Sequence, residues 1–315
     1  MTIDFFCHIY PKPIFAIVKN ERVLSFASIP YFVHPEARLK HMKKYNVNMQ
    51  VLSMPLTNAL KGLNCNDEVK LCRVFNNIIS DICHKYPSKF EGVACLPLSS
   101  LGETLDEVDR AIQDLDLKGL LVSSNIRGKP LDSQDFYPLY EKAVKYDVPI
   151  LIHPADWEGY QLIKDYDLML SIGWPFDTTQ AMCRLVFGGI FDRYPTLKIV
   201  VHHLGGVIPY LMGRLQTNLQ RTWRPRFESP KQLLHYFKLF YADTAVNCWR
   251  NGLRCGYSFF GPDRTIFATD YPFGPEHGEM FIRETIASIR ELPIPEEGKL
   301  KIFDLNARKL LHLEE

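Results

Sequence analysis

The feature that most constrains how this chain folds is a short apolar run, rich in β-branched residues, that recurs along its whole length. Such runs lie at 2–8 (TIDFFCH), 48–54 (NMQVLSM), 90–97 (FEGVACLP), 117–124 (LKGLLVSS), 148–154 (VPILIHP), 197–203 (LKIVVHH), 239–245 (LFYADTA) and 264–270 (RTIFATD). They are largely continuous instead of alternating, which suits strands buried on both faces, as in a parallel sheet. Between them lie segments of helical periodicity. In 67–86 the apolar positions Val69, Cys72, Val74, Phe75, Ile78, Ile79 and Ile82 recur every three to four residues, and 101–115 and 136–147 read the same way. Eight such alternations without a Gly/Ser linker predict an α/β chain with one domain over 1–315, a single (β/α)8 TIM barrel. A doubly wound open sheet is the competing architecture, but neither G-x-G-x-x-G nor the P-loop pattern is present. The region 10–34 is too long for a plain βα loop and is expected to be an insertion after the first strand that covers the site.

Composition narrows the function. The 37 basic and 36 acidic residues nearly cancel, so charge gives no reason to expect nucleic acid or an anionic membrane as partner. A small molecule is the expected ligand. Apolar runs fall short of the roughly 20 residues that span a bilayer, and Asp4 and His8 stand where a signal peptide has a basic and then an apolar region, so the expected location is cytoplasmic. The eight cysteines form no C-x-x-C pair, and reduced, mostly buried thiols are expected.

Chemistry concentrates at the carboxyl ends of the predicted strands. The first ends in His8, the fifth in His153, the sixth in His202 and His203, and the eighth in Asp270. This is the face on which barrel enzymes build their sites. Any one of these is an ordinary structural residue more often than not. Four at the same end of one barrel point to a divalent metal, with imidazoles and a carboxylate as ligands and a position open for water.

The segments IDFFCHIYP (3–11), LIHP (151–154), GWPFDTTQAMCRLVFGGIFDRYPTLKIVVHHLGG (173–206), FYADTA (240–245), FATDYPFG (267–274) and NARKLL (306–311) resemble the amidohydrolase-2 branch of the amidohydrolase superfamily, and its decarboxylases in particular. The resemblance implies a distorted (β/α)8 barrel that binds one divalent metal, usually zinc, and non-hydrolytic decarboxylation of a small unsaturated or aromatic carboxylate. It implies His8, His153 and Asp270 as metal ligands, with His203 as the base and Asp270 as a second catalytic group. His202, of opposite strand parity, is expected to face the helices. Arg214 corresponds to an arginine that reaches a substrate carboxylate across a homodimer interface, although a surface arginine on a helix is the plain alternative. Arg22 is a second candidate for the carboxylate. Trp174 and Trp157 are candidates for an apolar pocket wall.

The chain departs from the H-x-H pattern of the first strand, because Phe6 stands in the place of the first histidine. Residues 6 and 8 share one side of a strand, so Cys7 is no substitute. Three outcomes are physically open. The metal binds with an extra water or with a ligand from 10–34 such as His34; it binds weakly; or metal chemistry has been given up. Hydrolysis or hydration by the same water, and an inactive homologue, are the rival functions.

Overall fold

The computed structural model describes residues 1–313 apart from 157–162, 164, 220–226 and 228. Each apolar run yields strand: β1 (Ile3–His8), β2 (Met49–Ser53), β3 (Phe90–Gly92), β4 (Ala94–Cys95), β5 (Leu120–Ser123), β6 (Ile150–His153), β7 (Ile199–Val201), β8 (Tyr241–Asp243) and β9 (Thr265–Ile266). All pairings among them are parallel. They form one sheet of order β1-β2-β3 and another of order β9-β8-β7-β6-β5-β4.

The third run supplies both β3 and β4. The Val93 amide donates to Leu52 O at 3.1 Å on one side, and the Ala94 amide donates to Gly119 O at 2.8 Å on the other. At the far end the Phe5 amide donates to Phe267 O at 3.0 Å, Asp270 to Phe6 O at 3.1 Å and His8 to Tyr271 O at 2.6 Å. These bonds tie the chain after β9 back to β1. A short antiparallel hairpin, 125–126 with 129–130, follows β5 and has no counterpart in the apolar pattern.

The strands are apolar because they are enclosed: every residue of β1, β2, β5 and β6 is buried. Helix Cys65–Lys85 shows how the cover forms. Asn64 caps it by accepting from the Asp67 amide at 2.9 Å, and Leu71, Cys72, Phe75, Ile79 and Ile82 form its buried stripe. The region 10–34 folds into short helical turns, among them Lys12–Ala16, Glu21–Ser25 and Pro30–Val33, that bury Ile14, Val23, Phe32 and Val33. Register levels the strand ends, with His8 opposite Ser53 and Ser123 opposite His153, so the polar strand-end side chains share one end of the sheet. Among the described residues no helix is long and apolar enough to cross a membrane.

Candidate metal and acid-base site

The pleat of β1 sends Phe6 and His8 to the same side. The Phe6 ring lies among four imidazoles: 4.2 Å from that of His8, 5.8 Å from His153, 6.1 Å from His203, and stacked on His202 at 3.4 Å with planes 16° apart. The expectation for His202 is thereby corrected. Its ring joins Phe6 on the inner side instead of facing the helices. His202 keeps extended backbone angles (φ -82°, ψ 164°) and so stays on strand parity with its ring inward, while His203 and Leu204 turn left-handed (φ 54° and 56°) and leave the alternation, so that His203 also reaches the cavity. The turn also needs Gly206 (φ 62°), where a Cβ would lie 2.1 Å from Pro175 O. Asp270 is left-handed too, at φ 63°. Such strain is found where function fixes the geometry.

Hydrogen bonds set the imidazole tautomers. Ser53 Oγ donates to Cys7 O at 3.3 Å and lies 3.1 Å from His8 Nδ1, so Nδ1–H donates to Ser53 and Nε2 carries the lone pair. His153 Nδ1 donates to Pro154 O at 2.7 Å, and His202 Nδ1 donates to the buried Asp243 Oδ2 at 2.6 Å. These three histidines therefore present Nε2, the arrangement a metal-ligating imidazole adopts when its other nitrogen is engaged. His8 Nε2, His202 Nε2 and His203 Nδ1 are buried without a hydrogen-bond partner among the described residues.

His8 Nε2 is 3.0 Å from Asp270 Oδ1, yet the two are not aligned as donor and acceptor. Burial holds the His8 and His153 pKa values well below the ordinary imidazole value and lowers that of His203. The His8–Asp270 contact is therefore not an ion pair at neutral pH. Burial also pushes the Asp270 carboxyl up to about 7, opposed chiefly by His203. A lone-pair nitrogen beside a carboxyl oxygen whose proton burial favours and a cation would displace is a donor pair suited in kind to a divalent cation. The His153 ring is 5.5 Å from that of His8. Among the described residues no three His, Cys, Asp or Glu side chains converge closely enough to hold an ion as they stand. The convergence stops at His8 and Asp270, with Phe6 in the room a further ligand would need.

A cavity of about 500 Å³ opens onto His153, His203 and Asp270, walled by Trp174 and Phe273 and edged by Arg22. Trp174 packs edge-on to His153 at 5.6 Å and donates its Nε1–H to Asp156 Oδ1 at 3.1 Å. Arg22, on the helical turn Glu21–Ser25, is the one arginine or lysine among the described lining residues. A larger cavity of about 730 Å³, bordered by Leu60, Arg127 and Met169, contains none of the site histidines. Arg214 is exposed on helix Ile208–Leu219 and does not line the site cavity. His34 is exposed at the start of helix Pro35–Tyr45 and does not line it either, so it is not brought in as a stand-in ligand. Trp157 lies outside the described residues.

Sequence reading missed the groups that support the pair. Asp4 accepts from the Thr269 amide at 3.0 Å and from its hydroxyl at 2.5 Å, which anchors the residue before Asp270. Ser53, Asp243, Arg38 and Phe273 were also missed. Ser53 at the end of β2 and Asp243 at the end of β8 did carry a signal, being polar residues at strand ends.

The amidohydrolase family model matches residues 7–313, and the chain belongs to that family. The chain is 29% identical over 283 residues to the 2-amino-3-carboxymuconate-6-semialdehyde decarboxylase of Dictyostelium discoideum, a match covering 89% of this chain and 77% of that protein. It is 28% identical over 294 residues to the gamma-resorcylate decarboxylase of a Rhizobium species, covering 89% and 87%. The fold is shared with 5-carboxyvanillate decarboxylase from Novosphingobium aromaticivorans, solved with manganese and 4-hydroxy-3-methoxy-5-nitrobenzoic acid (TM-score 0.84, 24% identity, 99% and 96% covered).

Proposed function

We propose that the chain is a metal-dependent carbon–carbon lyase that removes the carboxyl group of a small aromatic or unsaturated acid as carbon dioxide. The observation that carries this reading is the meeting of His153, His203 and Asp270 on one aromatic-walled cavity, with His8 directly behind Asp270. The decarboxylase relatives, whose named substrates include gamma-resorcylate, support the reaction class.

His8, His153 and Asp270 are the residues we assign to hold one divalent ion. Manganese in a solved relative supports a divalent ion. Zinc is our assignment from the donor set, since two histidines and one carboxylate match the ligand count of several catalytic zinc sites. A divalent ion there supplies Lewis acidity toward the oxygens of the bound acid. Phe6 offers no donor, so three ligands would hold an ion there, more weakly than four would.

The chain's own residues do the rest. Burial keeps the His203 ring neutral at pH 7, so it is able to take a proton from solvent and pass it to the substrate. The carbon that bore the carboxylate gains that proton as its bond to the departing carbon dioxide breaks and leaves its electron pair behind. Arg22 aligns the substrate carboxylate, and Trp174 offers a flat apolar face to a planar acid. Arg214, exposed away from the cavity, is assigned to the site of a second copy in a homodimer. The bonds from β1 to 267–271, together with the change of partner at Val93, support closure of the strands into a (β/α)8 barrel, with 10–34 as the insertion beside its mouth.

Metal content tests the assignment. Protein purified without chelators and then soaked in manganese or zinc is expected to approach one ion per chain by mass spectrometry. Less than about a tenth of an equivalent after soaking refutes it.

A further inference from the structure

Arg38, on helix Pro35–Tyr45, is fully buried, and among the described residues no carboxylate lies within ion-pairing distance of it. Burying a cation without a counter-charge is costly, and an apolar side chain of similar length would join the helix to the sheet without that cost. What the guanidinium touches is the backbone of the site. One Nη donates to the His8 carbonyl and the other to Gln50 Oε1 at 3.3 Å, while Nε has no partner among the described residues.

The same group lies over the ring of Tyr271, 5.1 Å from its centre. Tyr271 follows Asp270 and is tied to both sides. Its carbonyl accepts from the His8 amide at 2.6 Å, and its hydroxyl lies 3.1 Å from His41 Nδ1, whose Nε2 is 2.9 Å from Glu279 Oε2. Arg38 thus reaches both members of the His8–Asp270 pair through the chain that carries them, and it touches neither side chain.

We infer that Arg38 is a positioning residue that fixes His8 Nε2 beside Asp270 Oδ1, and so sets how tightly this site holds its cation. The inference rests on the reading of His8 and Asp270 as ligands. It places Arg38 outside the substrate cavity, which it does not line.

The test uses the full chain carrying Arg38→Met or Arg38→Lys. Mn²⁺ affinity is measured by electron paramagnetic resonance titration. The ring ¹⁵N shifts of His8 are measured in metal-free protein, with the resonances assigned through His8→Gln. Loss of an outer partner to a ligating histidine weakens metal binding about 10–100-fold. That range is expected for Arg38→Met, with Arg38→Lys intermediate because it keeps one donor. The His8 shifts are expected to move away from the fixed Nδ1–H pattern. With Mn²⁺ in excess, KM for a substrate acid is expected to stay within about twofold, as befits a residue outside the cavity. Folded variants with Mn²⁺ affinity within twofold of the parent and unchanged His8 shifts overturn the inference. If Arg38→Met does not fold, Arg38→Lys and Gln50→Leu, which removes the second acceptor, decide it by the same two readouts. If the unaltered protein takes up no Mn²⁺, the ligand reading fails. The His8 shifts alone then decide the role of Arg38: movement sustains it and constancy overturns it.

Discussion

Phe6→His is the substitution whose consequences the geometry constrains most. The Phe6 ring is fully buried, so the exchange forfeits about 1.5–3 kcal/mol of apolar burial. It also puts a polar ring into an enclosed space, at about 1–3 kcal/mol for a nitrogen left without a partner. Metal-free Phe6→His is therefore expected to be less stable than the parent by roughly 2.5–6 kcal/mol. With metal the deficit shrinks. Two imidazoles bound to one ion at about 2.0–2.1 Å have ring centres about 5 Å apart. Ring centre 6 is 4.2 Å from that of His8 and 5.8 Å from that of His153, values that bracket this distance. The variant is expected to bind Mn²⁺ or Zn²⁺ at least about tenfold more tightly, which is about 1.4 kcal/mol. Its thermal midpoint should then recover as the metal is raised, since about 2.7 kcal/mol returns at a hundredfold excess over Kd. Metal titration by calorimetry and thermal melts with and without metal measure both effects. Phe6→Leu, the apolar control, is expected to lose stability without gaining affinity. A folded Phe6→His whose metal Kd stays within twofold of the parent refutes the reasoning that Phe6 stands in a ligand's place.

Three further outcomes follow from the same geometry. His203→Gln is expected to lower kcat by about 10²–10⁴ while metal content stays at the parental level, as steady-state kinetics and mass spectrometry will show. Arg22→Ala is expected to raise KM for the acid at least about tenfold, with a smaller change in kcat, because a carboxylate loses its charged partner on the cavity rim. Asp4 is fully buried and burial pushes its pKa up to about 7, against an ordinary value near 4. A group whose pKa is raised on folding favours the folded state below its unfolded pKa, and that contribution is lost as pH climbs through the folded one. The parent is therefore expected to lose more stability than Asp4→Asn between pH 4 and 8, by a few kcal/mol in urea denaturation, and equal slopes would sink that account.

Much of this architecture was legible in the sequence because it depends on local pattern. Enclosed parallel strands need continuous apolar runs, and all eight runs hold strand. That His8, His153, His203 and Asp270 gather at one end of the sheet was legible from their coincidence at the ends of such runs, although each alone reads as an ordinary structural residue. The orientation of His202 was not, because parity placed only one of the two neighbouring histidines inward, and only the fold shows His202 still extended and His203 turning left-handed. Asp243, which holds His202, lies 41 residues away, and Thr269, which Asp4 grips, lies 265 away. Neither pairing leaves a periodic trace. Arg38 was hidden for a different reason: in the run ARLKHMKKY it reads as one of several basic residues on a solvated helix, and only the fold shows it buried. The role of Phe6 was half legible, since its register was clear while its stacking on His202 was not.

The most direct test of the central claim is carbon dioxide release from a panel of hydroxylated benzoates by chelator-stripped protein, followed as divalent metal is added back. Release that is absent without metal, rises with manganese or zinc toward saturation, and is lost in His203→Gln at unchanged metal content is the predicted result. A protein that binds the metal in full yet frees no carbon dioxide from any member of the panel contradicts the assignment. So does release that proceeds equally well after the metal is removed.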